Sequence, residues 1–344
     1  MAIEKKKNIT IKDIAKLSGY STQTVSRVVN NDAKVKKETK EKILEIIKKY
    51  NYKSNYYAKS LVSKSSKNIL ILLKRRSGHK ATIWTNILVN EIILKNKRDD
   101  ISIMVEHYYN DEELKKSLIN KSSSFVDGVI LFYEEKNDKR IEILKRNEIP
   151  FVVFGKSYDE KNIYVSNDDF NSSFKAIENF FKDGIENIAF ITGSSSPMNE
   201  ERLHGVQEAY RKNNKDISKL IVEREVNTSD EIKRTARKYI DNLPECFFVN
   251  GDEKAIVLMR ELFNFGIQVP RDVLIMGFDK LPVSEYTIPS LSTVSLKYKK
   301  LAEKLLEKLI NMMEGIEEKK EEIESELVLR ESTDIKKFKN QGGK

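Results

Sequence analysis

The chain has 344 residues, enough for two or three domains, and 39% hydrophobic and 9% aromatic residues, which excludes a wholly disordered chain. No aliphatic run exceeds about five residues (Ile69–Leu73 is one), which excludes an apolar membrane-spanning helix, and a single cysteine, Cys246, excludes an internal disulfide or a Cys-rich metal site. The net charge of +9 is concentrated: residues 1–65 hold 16 Lys/Arg and 6 Asp/Glu, a net of +10, which leaves the remaining 279 residues at −1. A basic front on a near-neutral body fits a nucleic-acid-binding arm; a solvated lysine-rich surface is the other reading of the same charge. The opening residues are charged and then polar, which predicts no secretory signal and a soluble, cytoplasmic protein.

Thr10 with Asp13 three residues later reads as a helix start. That helix carries Ile11, Ile14, Ala15 and Leu17 on one face, and Ser18-Gly19-Tyr20 breaks it. Ser21 caps a second helix, Thr22–Val29, whose apolar face is Val25, Val28 and Val29; Asn30-Asn31-Asp32 ends it. A third helix runs from about Lys37 to Lys49, with Ile43, Leu44, Ile46 and Ile47 facing inward. Two short helices across a glycine turn, plus a third that completes a small core, make a helix-turn-helix plan. The second helix exposes Ser21, Thr22, Gln23, Ser26 and Arg27, groups suited to base edges and phosphates in a major groove.

Beyond residue 65 the pattern alternates. Strand-like runs are Ile69–Leu73, Ile101–Val105, Val126–Phe132, Phe151–Phe154, Ile188–Thr192, Cys246–Val249 and Val273–Phe278. Helical stretches lie between them: Asn86–Lys95, Glu112–Ser117, Phe170–Phe181, Arg202–Lys212, Ser229–Leu243 and Ala255–Phe265. Residues 297–314 add an amphipathic helix and Ser325–Arg330 a last strand. Alternation of this kind predicts parallel α/β sheets, and the number of strands predicts two lobes. In such sheets ligands bind beyond the carboxyl ends of the strands.

The run Ile9-Thr10-Ile11-Lys12-Asp13-Ile14-Ala15-Lys16-Leu17-Ser18-Gly19, then Ser21, then Thr24-Val25-Ser26-Arg27-Val28-Val29-Asn30, resembles the DNA-binding headpiece of the lac repressor (LacI/GalR) family. The likeness continues through Val35, Glu38-Thr39, Ile43, Asn51-Tyr52 and Asn55 to Ala58, Leu61 and Lys64. It implies an all-α helix-turn-helix headpiece at 1–54 and a hinge helix and linker at 55–65. It adds Asn30, Asn55 and Ala58 to the DNA-contacting set and makes Leu61 a wedge in the minor groove, with an ordinary linker contact as the alternative. Tyr56-Tyr57 depart from the common hinge residues.

The rest resembles the two-lobed α/β, periplasmic-binding-protein-like (type I) effector domain of the same family. Val126-Asp127-Gly128-Val129-Ile130, Arg202-Leu203-His204-Gly205, Gly277-Phe278-Asp279 and Pro289-Ser290-Leu291-Ser292-Thr293-Val294 carry the likeness. It implies an effector-binding and dimerisation domain at 66–337 with three crossings between lobes. The N-lobe is expected at about 66–161 and 293–323, the C-lobe at about 162–292 and 324–337, and a polar tail at 338–344.

The same resemblance assigns effector contacts to Arg202 and Asp279, with a solvated loop charge or an inter-lobe pair as the other reading of each. Asn167 and Asp168 follow a strand where effector contacts fall, although helix capping is an equal use for them. Trp84, the sole tryptophan, stacks on a sugar's apolar face or belongs to the core. Gly251-Asp252 stands in place of the family's Asn-Asp pair, with Asp252 as a further effector candidate, and Asn227 replaces a frequent aromatic.

The function this implies is a sequence-specific transcriptional regulator, a repressor of a carbohydrate-use operon switched by a small molecule between the lobes. Its expected partners are pseudo-palindromic double-stranded operator DNA, a sugar or sugar derivative, and a second copy in a homodimer. A protein co-regulator is left open; no membrane, cofactor, metal or catalytic residue is called for. The rivals are an exported-type sugar-binding protein and an α/β enzyme. Against the enzyme, Thr192-Gly193-Ser194-Ser195-Ser196 lacks the Gly-x-Ser-x-Gly, Gly-x-x-x-x-Gly-Lys and Gly-x-Gly-x-x-Gly patterns. His79, His107 and His204 show no metal spacing.

Overall fold

In the first unit of the fold, Thr10 opens α1 (Ile11–Ser18) through a capping box: its hydroxyl accepts from the Asp13 N–H, and its own N–H donates to the Asp13 carboxylate at 2.9 Å. Gly19 ends the helix at φ 72°, a left-handed conformation that suits glycine. Ser21 Oγ then accepts from the Thr24 N–H at 3.1 Å and starts α2 (Thr22–Val29). With α3 (Lys37–Lys49), these helices bury Ile14, Ala15, Val25, Val28 and Ile43. Leu17 and Leu44, read as inward-facing, are instead exposed. Leu44 lies about 100° around its helix from the buried Ile43, off the apolar stripe, and Leu17 falls in the last turn of its helix, beyond the buried Ile14 and Ala15.

The computed structural model describes residues 9–29, 35–50, 52, 67–75, 83–121 and 125–339. The chain divides between residues 66 and 67 into two units.

The second unit holds two parallel sheets of the same plan. The first contains β1 (Lys67–Lys74), β2 (Ile101–Tyr108), β3 (Gly128–Leu131), β4 (Phe151–Phe154), β5 (Tyr164–Asn167) and β11 (Glu321–Ile323), in the order β11-β5-β4-β3-β1-β2. The second contains β6 (Ile188–Ile191), β7 (Leu220–Glu223), β8 (Cys246–Val249), β9 (Leu274–Asp279), β10 (Ser292–Ser295) and β12 (Glu326–Val328), in the order β12-β10-β9-β8-β6-β7. Among the described strands only β12 runs antiparallel, against β10. The central strands are buried from end to end, which is why they read as unbroken apolar runs rather than alternating ones.

Helices α4 (Ile83–Lys95), α5 (Asp111–Lys116), α6 (Lys139–Arg146) and α11 (Tyr298–Met313) accompany the first sheet. Helices α7 (Asp169–Lys182), α8 (Pro197–Lys212), α9 (Ser229–Lys238) and α10 (Asp252–Asn264) accompany the second, and α12 (Ile335–Lys339) closes the described chain. Strand pairing corrects the expected boundaries. Tyr164–Asn167 belongs to the first sheet, so the first crossing follows Asn167 rather than falling at 161/162. Ser292–Ser295 pairs with β9, so the second crossing follows Ser295. Residue 338 is not tail: Phe338 lies in α12 and packs against the main core.

Two further differences matter for the site. Helix α8 starts at Pro197, five residues before the expected Arg202, with Ser196 as its cap. Proline fits the first helical position because its missing N–H has no partner to lose there. Helix α9 ends at Lys238, short of Leu243. Helix α8 also lies hard against α7 at Gly205, where an added Cβ would stand 2.2 Å from the Phe170 carbonyl oxygen. Backbone cannot yield as a side chain can, so Gly205→Ala should cost at least about 1–3 kcal/mol of effector-domain stability. Thermal denaturation checks this; an unchanged melting temperature would contradict the close packing.

Candidate DNA interface and effector cleft

On α2, Ser21, Thr22, Gln23 and Arg27 are exposed and Ser26 is half-buried, while Val25 and Val28 point into the headpiece core. Five of the residues predicted to contact DNA thus stand clear of the core around one helix. Asn30, Asn55, Ala58 and Leu61 lie outside the described residues.

The carboxyl ends of β1, β4, β6, β8 and β9 open into one cleft of about 1220 Å³ between the lobes. Trp84 lines it from the N-lobe, half-buried against Phe132, Tyr133 and Phe154 with ring centroids 6.4, 5.4 and 5.4 Å away. It therefore packs on the core and also lines the cleft. Opposite it stands a polar floor. Arg202 donates through Nε to Asp169 at 2.7 Å and through Nη1 to Asn250, and it stacks on Phe278 with 3.7 Å between guanidinium carbon and ring centroid. Asn250 in turn donates to Asn199 at 2.6 Å and Thr192 at 3.2 Å.

Asp279 lines the cleft at the end of β9 with φ 121°, a region that L-residues seldom occupy and that is held only where surroundings demand it. Burial and the nearby Asp252 carboxylate push its pKa well above the usual range. Asn167 is 2% exposed and lines the cleft, and neither end of its amide has a hydrogen-bond partner among the described residues. Burial pushes Asp169 upward as well, against the pull of Arg202.

Two predicted effector contacts are corrected. Asp168 caps α7, accepting from the Asn171 backbone N–H at 3.0 Å and from its side-chain amide at 2.7 Å. Asp252 is fully buried and accepts from the Leu281 N–H at 2.8 Å, Ser284 Oγ at 2.5 Å and Thr293 Oγ1 at 2.6 Å. Neither lines the cleft. Asp168, beside a helix start, is drawn to the local donors of Asn171, whereas Asp252 meets donors that the fold brings to it from residues 281–293. Asn250, Asn199, Glu253 and Lys254 line the cleft and were not expected there. Their signal was position: Asn250 follows a strand, and Glu253 and Lys254 sit in the first turn of the next helix.

Contacts across the mouth hold the lobes together. The Ile83 N–H donates to Glu253 at 3.1 Å, Lys156 pairs with Glu201 at 2.8 Å, and Tyr158 OH donates to the Ser195 carbonyl at 3.4 Å. Lys254 donates to the Val226 carbonyl at 3.2 Å, and burial lowers its pKa to about 8 despite Asp279 nearby. Its folded pKa lies below the unfolded value of 10.5, so the unfolded chain holds the extra proton between about pH 8 and 10.5. Stability should therefore rise with pH through that window. Lys254→Met should be the more stable protein below pH 8, by on the order of 2 kcal/mol, with the gap closing toward pH 10.5. Chemical denaturation of both proteins across pH 7–11 checks it; a gap constant with pH would contradict the desolvated ammonium.

The family model "Bacterial regulatory proteins, lacI family" matches residues 10–55, and that for a periplasmic binding protein-like domain matches residues 177–333. Catabolite control protein A of Staphylococcus aureus (strain MRSA252) is 30% identical over 295 residues, 83% of this chain and 87% of that protein. The probable HTH-type transcriptional repressor ExuR of Bacillus subtilis (strain 168) is 30% identical over 332 residues, 94% of this chain and 98% of that one. The chain belongs to the LacI family. It is accordingly a DNA-binding transcriptional regulator and not an enzyme. Its fold matches that of the lac repressor dimer solved with operator and the anti-inducer ONPF, with TM-score 0.84 and 23% identity over 95% of this chain and 99% of that one. As a LacI-family chain it has, among its described residues, no helix long and apolar enough to cross a membrane.

Proposed function

We propose that this LacI-family regulator is a cytoplasmic homodimer that represses carbohydrate-use genes from a pseudo-palindromic operator, with a sugar or sugar derivative in the inter-lobe cleft setting its grip on DNA. One headpiece covers only a half-site, so two are needed. Ser21, Thr22, Gln23, Ser26 and Arg27 read the major groove, with Asn30, Asn55 and Ala58 as further contacts. The observation that carries the ligand reading is the cleft itself. An aromatic wall at Trp84 faces a floor where Arg202, Asp279 and the Asn167 amide, unpaired among the described residues, converge. Flat rings suit the apolar face of a sugar, and a mixed set of donors and acceptors suits its hydroxyls. The ligand acts by preferring one lobe arrangement, and shifts the balance only by its difference in affinity for the two.

Selection of bound duplexes from a random pool tests the DNA half: a two-fold symmetric site should emerge. Leu61→Ala should then weaken binding to that site much more than binding to random DNA, as expected of a wedge at the site's centre. Equal losses on both would reject the wedge.

A further inference from the structure

The C-lobe wall of the cleft is built from helix starts. Residues at or beside the first turns of α8, α9 and α10 all line it: Ser196 and Pro197, Thr228 and Ser229, Gly251 and Lys254. The positive ends of three helices therefore meet one cavity. Ser196 caps α8 and Thr228 caps α9 with their side chains, but Gly251 leaves α10 without a side-chain cap. The Lys254 side chain folds back past that turn, with its Cε 3.3 Å from where a Cβ on Gly251 would stand. Its one hydrogen bond goes to the Val226 carbonyl, and no carboxylate lies within ion-pair distance of it among the described residues.

The neighbouring charges are otherwise engaged. Arg202 is paired with Asp169, Asp230 with Lys233, and Glu253 accepts the Ile83 N–H. Asp279 and Glu231 attract the Lys254 charge, but burial outweighs them and no ion pair joins either carboxylate to Lys254 among the described residues. A second donor, Asn167 Nδ2, is buried in the same cleft without an acceptor. A desolvated ammonium beside an uncapped helix start forms a seat for an oxyanion, and the Asn167 amide in the same cleft is a donor for a hydroxyl.

We propose that the effector is a polyhydroxylated molecule bearing an oxyanion, carboxylate or phosphate, and that Lys254 is the residue that selects for that charge. This rests on the sugar-binding reading above and narrows its ligand class. Hydroxyls occupy Asp279 and Asn167, while the oxyanion meets Lys254 and the open turn of α10.

The test is a titration of the full-length protein at constant ionic strength, read by the fluorescence of Trp84, the only tryptophan in the chain. The probes are glucose, glucuronate and glucose 6-phosphate, and the matching galactose set. One acidic sugar should bind more tightly than its neutral parent, and the carboxylate and phosphate arms identify the source of the oxyanion. Lys254→Met should weaken that sugar by roughly thirtyfold or more, and Lys254→Arg should retain most of the preference for acid over neutral. Thermal melts confirm that both variants fold. Neutral sugars binding as tightly as acidic ones, or Lys254→Met leaving the preference intact, would overturn the proposal while leaving the sugar-binding reading in place. Silence of all six sugars, in fluorescence and in thermal shift, would reject both.

Discussion

Operator affinity should fall by roughly 10³–10⁵-fold between 50 and 200 mM salt, if the dimer neutralises about 6–10 phosphates. The reason is where the charge sits. Residues 1–65 hold a net +10 and the remaining 279 residues a net −1, so the DNA-facing module carries all of the excess. Each phosphate that a lysine or arginine neutralises releases condensed counterions, and added salt opposes that release. The slope of log affinity against log salt, from fluorescence anisotropy on a fixed duplex, measures the number of contacts. A nearly flat response would remove the electrostatic part of the account. Arg27→Ala should reduce the slope by about one contact if Arg27 meets a phosphate, and loosen base preference if it meets a base.

Arg202→Ala should have the second large effect, and on two readouts at once. Arg202 and Asp169 are buried and paired at 2.7 Å, and the guanidinium also organises Asn250 and covers Phe278. Removing it leaves a buried carboxylate without its partner, which costs about 3–5 kcal/mol. The effector domain should lose stability by that order in chemical denaturation, and Asp169→Asn in the same chain should restore part of it. The ligand-induced change in operator affinity should vanish. A variant that keeps both its stability and its ligand response would place the effector site elsewhere.

Much of this architecture was legible because local chemistry agreed with it. Thr10 with Asp13, Gly19 and Ser21 mark the headpiece turns by capping and backbone preference, and the structure uses each of them in that way. Strands buried on both faces, such as Phe151–Phe154 and Cys246–Val249, stand out as apolar runs between polar stretches. The missed elements lack such contrast. β11 (Glu321–Ile323) is a three-residue edge strand with two glutamates, and β10 (Ser292–Ser295) buries serines and a threonine among hydrogen bonds that no hydropathy pattern reveals.

The cleft was legible at Arg202, Asp279, Trp84 and Asn167, which the structure brings to one cavity. It was not legible at Asp168 and Asp252. In sequence, a carboxylate that caps a helix or ties a loop to a strand looks the same as one that faces a ligand. Lys254 presents the converse difficulty. One lysine among many in a lysine-rich chain carries no mark of its burial until the fold puts it at a helix start inside a cavity.

The central claim is that the headpieces hold a specific duplex and that a ligand between the lobes changes that hold. The most direct measurement is anisotropy of the purified protein on its selected operator and on scrambled DNA, with and without the sugars above at fixed salt. The account predicts a preference for the operator of about 10³-fold or more and a shift in that preference with one sugar, lost in Arg202→Ala. Equal binding to operator and scrambled DNA under every condition would contradict it.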